Sequence, residues 1–183
     1  MNVSPELDSL FRAAALREGL VDVRYDIVDT PIGELLVAAT DRGLARIHFD
    51  PAGQEEEALA RLFGNRVLRS PIDEVRRELD EYFEGRRHAF DLPLDLRVVP
   101  FNAEVLGELA RVPYGTTTTY GALAAKVGRP RAARAIGTVM NRNPIPIVLP
   151  CHRVIGANGS LTGYGGGLDR KLQLLQLEGA ILG

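Results

Sequence analysis

Apolar positions at intervals of three and four open the chain. Leu7, Leu10, Phe11, Ala14 and Ala15 predict a helix, with Ser4 as its N-cap, Pro5 at the first helical position and Gly19 as a stop. The period then shortens to two. Val23, Tyr25 and Ile27 alternate as in a strand, and the turn Thr30-Pro31-Ile32-Gly33 follows. Apolar runs at 35–39 and 44–49 flank Asp41-Arg42-Gly43, a hairpin signal. Segments 54–63 and 72–83 read as helices, the second with Ile72, Val75, Leu79, Tyr82 and Phe83 on one face. Phe90, Leu92, Leu94 and Leu96 alternate with Asp91, Pro93 and Asp95, and the proline confines that strand to an edge.

The pattern changes at 97–100. Helical spacing dominates from there, over 101–111, 120–127, 131–140 and 169–178. A short apolar run at 145–149 leads into Pro150-Cys151-His152-Arg153, and a glycine-rich loop covers 156–167. The expected fold class is α+β: a small N-terminal α/β domain with an antiparallel sheet, then a mostly helical C-terminal domain containing a helix-turn-helix. The expected boundaries are 1–22 for a helical extension, 23–97 for the α/β domain and 98–183 for the helical domain.

With 183 residues and 45% hydrophobic content, the chain has material for a genuine core. No stretch approaches the roughly 20 apolar residues of a membrane helix, and the N-terminus lacks the basic and apolar segments of a secretory signal. A single cysteine, Cys151, excludes an internal disulfide and any multi-cysteine metal site. A lone thiol suits a reducing compartment, so a cytoplasmic protein without a membrane partner is expected.

Charge divides the chain unevenly. The formal total is −2, yet from Arg111 onward nine basic side chains face two acidic ones, a net +7, leaving −9 on the first 110 residues. A basic half points to a polyanionic partner, against the alternative of an arginine-rich solvated surface. Within it, helices 120–127 and 131–140 are joined by a turn containing Gly128 and Pro130, which is helix-turn-helix spacing. The second helix carries Ala132, Ala133, Ala135 and Gly137, with Arg134 projecting. So small a face suits close approach to a nucleic-acid backbone; it equally suits tight packing in a core.

Cys151 has two readings as well. A lone cysteine is commonly an inert buried apolar side chain. Here titratable and cationic neighbours, His152 and Arg153, two stiffening prolines, Pro146 and Pro150, and a glycine loop immediately downstream favour a reactive thiol. His48 and His88 have no such context and read as structural or surface residues.

The segment Asn143-Pro144-Ile145-Pro146-Ile147-Val148-Leu149-Pro150-Cys151-His152-Arg153-Val154 resembles the active-site signature of the O6-alkylguanine-DNA alkyltransferases. Pro113-Tyr114-Gly115 with Thr118 and Tyr120, Arg131 to Gly137, Leu161 to Gly167, and Arg170-Lys171 through Glu178-Gly179 resemble the family too. The similarity is dense over 101–179 and looser over 23–96.

The resemblance implies direct-reversal DNA repair: an irreversible, single-turnover transfer of the alkyl group from guanine O6 to Cys151, without cofactor or metal. It leaves O4-alkylthymine open as a second substrate. By the same resemblance His152 serves as base through a water, Glu178 orients that imidazole, Asn143 holds the turn around the thiol, and Tyr120 donates toward the departing base. Because the target atom lies inside the duplex, the nucleotide must leave the stack. Arg134 would fill the gap in a minor-groove complex with duplex DNA, with Thr118, Tyr120, Ala132 and Ala133 as DNA contacts. Met140, Val154, Tyr164 and Gly165 would line the guanine pocket. A monomer is expected, with cooperative assembly along DNA left open. This chain departs from the family at Phe101-Asn102 and Leu106, where Phe-Gln and a tryptophan are usual, and at Val139, where alanine is usual. The alternatives are a non-catalytic duplex- or lesion-binding protein, whose relatives lack the acceptor cysteine, and a cysteine hydrolase, which would need a histidine from elsewhere in the fold.

Overall fold

The computed structural model describes residues 4–181; Met1–Val3 and Leu182–Gly183, the outermost residues of the expected terminal segments, lie outside it. The chain forms two compact units. Of the described residues, the first comprises 4–29, 33–76 and 92–95, the second 30–32, 77–91 and 96–181.

In the first unit α1 (Pro5–Arg17) begins as the sequence predicts, with the Ser4 hydroxyl accepting from Leu7 N at 3.3 Å. Its large apolar residues stay exposed, although Ala14 and Ala15 are half-buried. Leu7, Leu10 and Phe11 are 58%, 68% and 71% exposed. The sheet follows: β1 (Val23–Val28), β2 (Leu35–Thr40) and β3 (Gly43–Phe49) form an antiparallel meander. β2 is buried at every position, which is why Leu-Leu-Val-Ala-Ala reads as a continuous run rather than an alternation. Gly43 in the hairpin sits at φ +130°, and a Cβ there would meet the Pro93 carbonyl oxygen at 2.2 Å. Only glycine fits that turn.

After α2 (Glu55–Phe63), β4 (Val67–Arg69) joins β1 in parallel, giving the order β3-β2-β1-β4. The sheet is therefore mixed rather than wholly antiparallel, because the helix between β3 and β4 returns the chain alongside β1. Leu59 of α2 closes the core over Val23, Tyr25, Leu36 and Ala38. The alternating segment 90–96 does not become a strand. It makes a single bridge, Leu44 with Leu94, in which Leu44 N donates to Pro93 O and Asp95 N donates to Leu44 O. Proline supplies no donor, and Asp95 is instead buried as acceptor for the Thr40 hydroxyl at 2.9 Å. α3 (Asp73–Phe83) begins in this unit, where Ile72 and Val75 are buried, and from Arg77 onward belongs to the second, where Leu79 and Tyr82 are buried.

The second unit is mostly helical. α4 (Pro100–Ala110) buries Val105, Leu106 and Leu109, so Leu106 is a core residue. β5 (Thr118–Thr119) leads directly into α5 (Tyr120–Lys126), whose N-cap Thr119 accepts from Ala122 N at 3.1 Å. Gly128, at φ +69°, turns the chain toward α6 (Ala133–Asn141). β6 (Val154–Ile155) pairs in parallel with β5, and α7 (Leu168–Leu177) closes the unit. Among the described residues no helix is long and apolar enough to cross a membrane.

Candidate active site

α5, the turn and α6 make the expected helix-turn-helix. α6 buries Ile136, Val139 and Met140 and leaves Arg134 exposed, its guanidinium without a hydrogen bond or ion pair among the described residues. Val139 thus faces the core. Ala132, the N-cap, and Ala133 are half-buried. A Cβ at Gly137 would lie 3.9 Å from the Tyr120 ring, an ordinary contact that an alanine could make. The small residues of α6 stay partly or fully exposed, Ala135 with Arg134 and the half-buried Ala132, Ala133 and Gly137, so they form an open outer face.

Cys151 follows a bent apolar segment. Ile147 sits at φ +75°, costly for a β-branched side chain, and is buried nonetheless. Asn143, just past the C-cap of α6, ties this bend together. Its Nδ2 donates to Leu149 O at 2.7 Å and to Cys151 Sγ at 3.1 Å, and its Oδ1 accepts from Ile145 N at 3.1 Å. Cys151–Arg153 form a 3₁₀ turn that buries all three side chains. Burial pushes the Cys151 thiol up to about 11, against the Asn143 hydrogen bond and the positive charge of Lys171. At rest the group is a thiol.

His152 is fully buried, with Nε2 2.9 Å from Glu178 Oε1. Burial of Glu178 favours its neutral form, but hydrogen bonds from His152 and Arg153, with the positive charge of Arg153, outweigh that and hold the carboxyl at about 2. A carboxylate only accepts, so Nε2 carries the proton. Burial also lowers the His152 pKa, against the pull of Glu178, and keeps the ring neutral. The proton-free nitrogen is then Nδ1, which has no hydrogen-bond partner among the described residues. This leaves a buried, unpaired acceptor nitrogen on the residue next to the thiol.

Glu178 is held from several sides. Arg153 grips it bidentately, Nε to Oε2 and Nη2 to Oε1, each 2.8 Å, and donates through Nη1 to Val112 O at 2.6 Å. The Tyr82 hydroxyl donates to Oε1 at 2.7 Å and Gly115 N to Oε2 at 3.4 Å. Tyr114 stacks on His88 with centroids 4.1 Å apart, and the Arg153 guanidinium lies 5.8 Å from the Tyr114 ring. His88 is thus structural.

The residues expected to line a guanine pocket are spread around the turn. Val154 and Met140 are buried, Tyr164 is half-buried with its ring edge-on to His152 at 6.5 Å, and Gly165 is exposed beside the end of α6. Thr118 pairs with Val154 in the short ladder. The Tyr120 hydroxyl donates to Thr162 O at 3.2 Å, so at rest it serves the loop. Sequence reasoning missed three site residues: Arg153, noted only as a charge; Tyr82, taken as part of an apolar face; and Lys171, quoted only within the resemblance. Arg153 alone carried a readable signal, since an arginine beside a buried histidine requires a carboxylate.

A helix-turn-helix in the same unit as a buried thiol, a neutral histidine and a clamped carboxylate defines a class: DNA-associated proteins with a single reactive cysteine. The comparisons are specific. Residues 100–180 match the family model described as 6-O-methylguanine DNA methyltransferase, DNA binding domain, and residues 23–96 match its ribonuclease-like domain. The methylated-DNA–protein-cysteine methyltransferase of Methanosarcina barkeri is 44% identical over 154 residues, covering 84% of this chain and 96% of the relative. That of Mycolicibacterium paratuberculosis is 44% identical over 156 residues, covering 85% and 92%. The crystal structure of Mycobacterium tuberculosis OGT in complex with DNA is similar with a TM-score of 0.76 and 39% identity, over 86% of this chain and 93% of that one. This chain belongs to the 6-O-methylguanine DNA methyltransferase family. Residues 1–22 lie outside both matched regions.

Proposed function

We propose that this chain is a methylated-DNA–protein-cysteine methyltransferase that repairs O6-alkylguanine in duplex DNA, with Cys151 as the acceptor. The observation that carries this reading is the His152 tautomer: Nε2 bound to Glu178 leaves the unpaired Nδ1 as the base for the adjacent turn. A sequence neighbour does not reach the thiol directly in most backbone conformations, so the proton passes through one water. Sγ forms a bond to the alkyl carbon as the carbon–O6 bond breaks, and its electron pair goes to guanine. The thiol proton goes to His152, and the guanine anion takes up one proton, donated by Tyr120 or by water. The product thioether has no leaving group, so each protein turns over once and no cofactor enters the chemistry.

Binding follows the same logic. The exposed Arg134 and the small α6 face suit the minor groove, with Thr118, Tyr120, Ala132 and Ala133 beside the backbone and Arg134 filling the space of the flipped nucleotide. Met140, Val154, Tyr164 and Gly165 hold the guanine, and Asn143 and Glu178 keep thiol and imidazole in place. A free thiol nucleophile belongs in the cytoplasm. The protein acts as a monomer on O6-alkylguanine.

The test is intact-protein and peptide mass spectrometry after mixing with a duplex carrying one O6-methylguanine. One methyl group on the Cys151 peptide, saturating at one per protein and absent from Cys151→Ser, is expected. No gain, with tight duplex binding retained, means a lesion-recognition protein instead. For the flipping role, Arg134→Ala is expected to slow repair of duplex substrate more than reaction with the free O6-methylguanine base. An unchanged ratio removes Arg134 from that role.

A further inference from the structure

α7 carries a cation that the chemistry above leaves unused. Lys171 is fully buried, yet no carboxylate pairs with it among the described residues. Its ammonium instead donates to two backbone carbonyls, Val154 O at 2.6 Å and Thr162 O at 2.8 Å. Thr162 O also accepts from the Tyr120 hydroxyl, so one ammonium ties together β6, the glycine loop, α7 and, through that shared oxygen, α5. A buried cation without an opposite charge is unfavourable, and carbonyl dipoles compensate it only in part.

The opposite charge that suits it arises when Cys151 ionises. We propose that Lys171 is a positioning residue with two roles, clamping the Val154 and Thr162 carbonyls and supplying the counter-charge of the Cys151 thiolate. This rests on the reading of Cys151 as the alkyl acceptor.

The other groups around the thiol do not compete for the second role. Asn143 is a neutral donor from just past the C-cap of α6, and His152, next to the thiol, is neutral. Arg153 is compensated by its bidentate pair with Glu178, and Tyr164 from the loop is held protonated by burial. Lys171 is left as the uncompensated positive charge. The two groups are also coupled: the lysine cation lowers the thiol pKa, and the thiolate opposes the burial that brings Lys171 down to about 8.

Three substitutions separate the roles. Lys171→Met removes donor and charge, Lys171→Gln keeps donors without charge, and Lys171→Arg keeps charge. Because Cys151 is the single cysteine, the rate of its reaction with iodoacetamide between pH 6.5 and 7.5, where Lys171 keeps its charge, reads thiolate formation without DNA. Single-turnover methyl transfer and the Kd for a methylated duplex are measured beside it. The expected result is a fall of about tenfold in iodoacetamide rate for both Gln and Met, corresponding to about one unit in thiol pKa. Methyl transfer falls in parallel, duplex Kd stays unchanged, and Arg recovers most of the rate. Thermal unfolding of each variant shows which are folded, and the Gln–Met comparison stands even if Arg is not. Wild-type iodoacetamide reactivity in Lys171→Gln overturns the counter-charge role. A protein that takes no methyl from duplex DNA refutes the acceptor reading, while the iodoacetamide series still decides what Lys171 does.

Discussion

Asn143 makes three hydrogen bonds from one side chain, two to backbone and one to the nucleophile. Removing a partner from a buried polar group costs about 1–3 kcal/mol. Asn143→Ala is therefore expected to lose about 2–3 kcal/mol of stability in urea unfolding. Methyl transfer should slow by about tenfold or more, because the thiol also loses the donor that favours its ionised form. A variant equally destabilised but transferring at the wild-type rate would reduce Asn143 to a structural brace. At this scale the sequence was partly legible. Asn143, Cys151 and His152 are named by the resemblance of the 143–154 segment to a family signature, and the bonds that tie their bend together are visible only in the fold. Tyr82 could not be anticipated: its position on an apolar helix face says nothing of a hydroxyl meeting Glu178, 96 residues onward.

Elements with complete local signals formed where the pattern placed them. Ser4 caps α1, Thr119 caps α5, and Gly43 turns the hairpin. Elements that depend on a distant neighbour did not show. β4 has three residues and exists as a parallel addition to β1, while β5 and β6 are two residues each and stabilise one another. The converse failure is 90–96, where alternation was present but Pro93 removed a donor from the ladder. In α1 helical spacing correctly gave the helix, yet period alone cannot say that a partner surface exists, and Leu7, Leu10 and Phe11 stay exposed. The Thr119 cap has a measurable value. Thr119→Ala should cost about 1 kcal/mol, lowering Tm by about 2–4 °C, and should weaken duplex binding because α5 begins the helix-turn-helix. A Tm unchanged within a degree in calorimetry would show that β5 alone fixes the start of α5.

Across the whole molecule, buried ionisable groups set the response to acid. His152 is neutral in the fold with a lowered pKa, so below its ordinary value of 6.5 the unfolded chain binds a proton that the fold refuses, and stability falls with pH. Glu178, at about 2 in the fold, contributes stability that is complete above its ordinary 4.5 and lost as pH falls toward 2. Asp26 adds to the second loss: burial raises its pKa, but Arg76 and the Ile72 amide outweigh that and lower it. Unfolding free energy should therefore decline from pH 7.5 to 5.5 and decline again from 4.5 to 3. Equal stability at 7.5 and 5.5 would mean that His152 is not held neutral.

The protonated resting state of Cys151 also fixes the proton stoichiometry of repair. O6-methylguanine has no hydrogen on N1 and guanine has one, so the hydrogen lost by sulfur equals the hydrogen gained by the base. The reaction as a whole neither takes up nor releases protons near neutral pH. The calorimetric heat of methyl transfer, after subtraction of duplex binding by Cys151→Ala, should be the same in phosphate and in Tris at pH 7.5. A site resting as thiolate would draw one proton from the buffer for every lesion repaired, and the two heats would differ by the gap between the buffers' ionisation enthalpies.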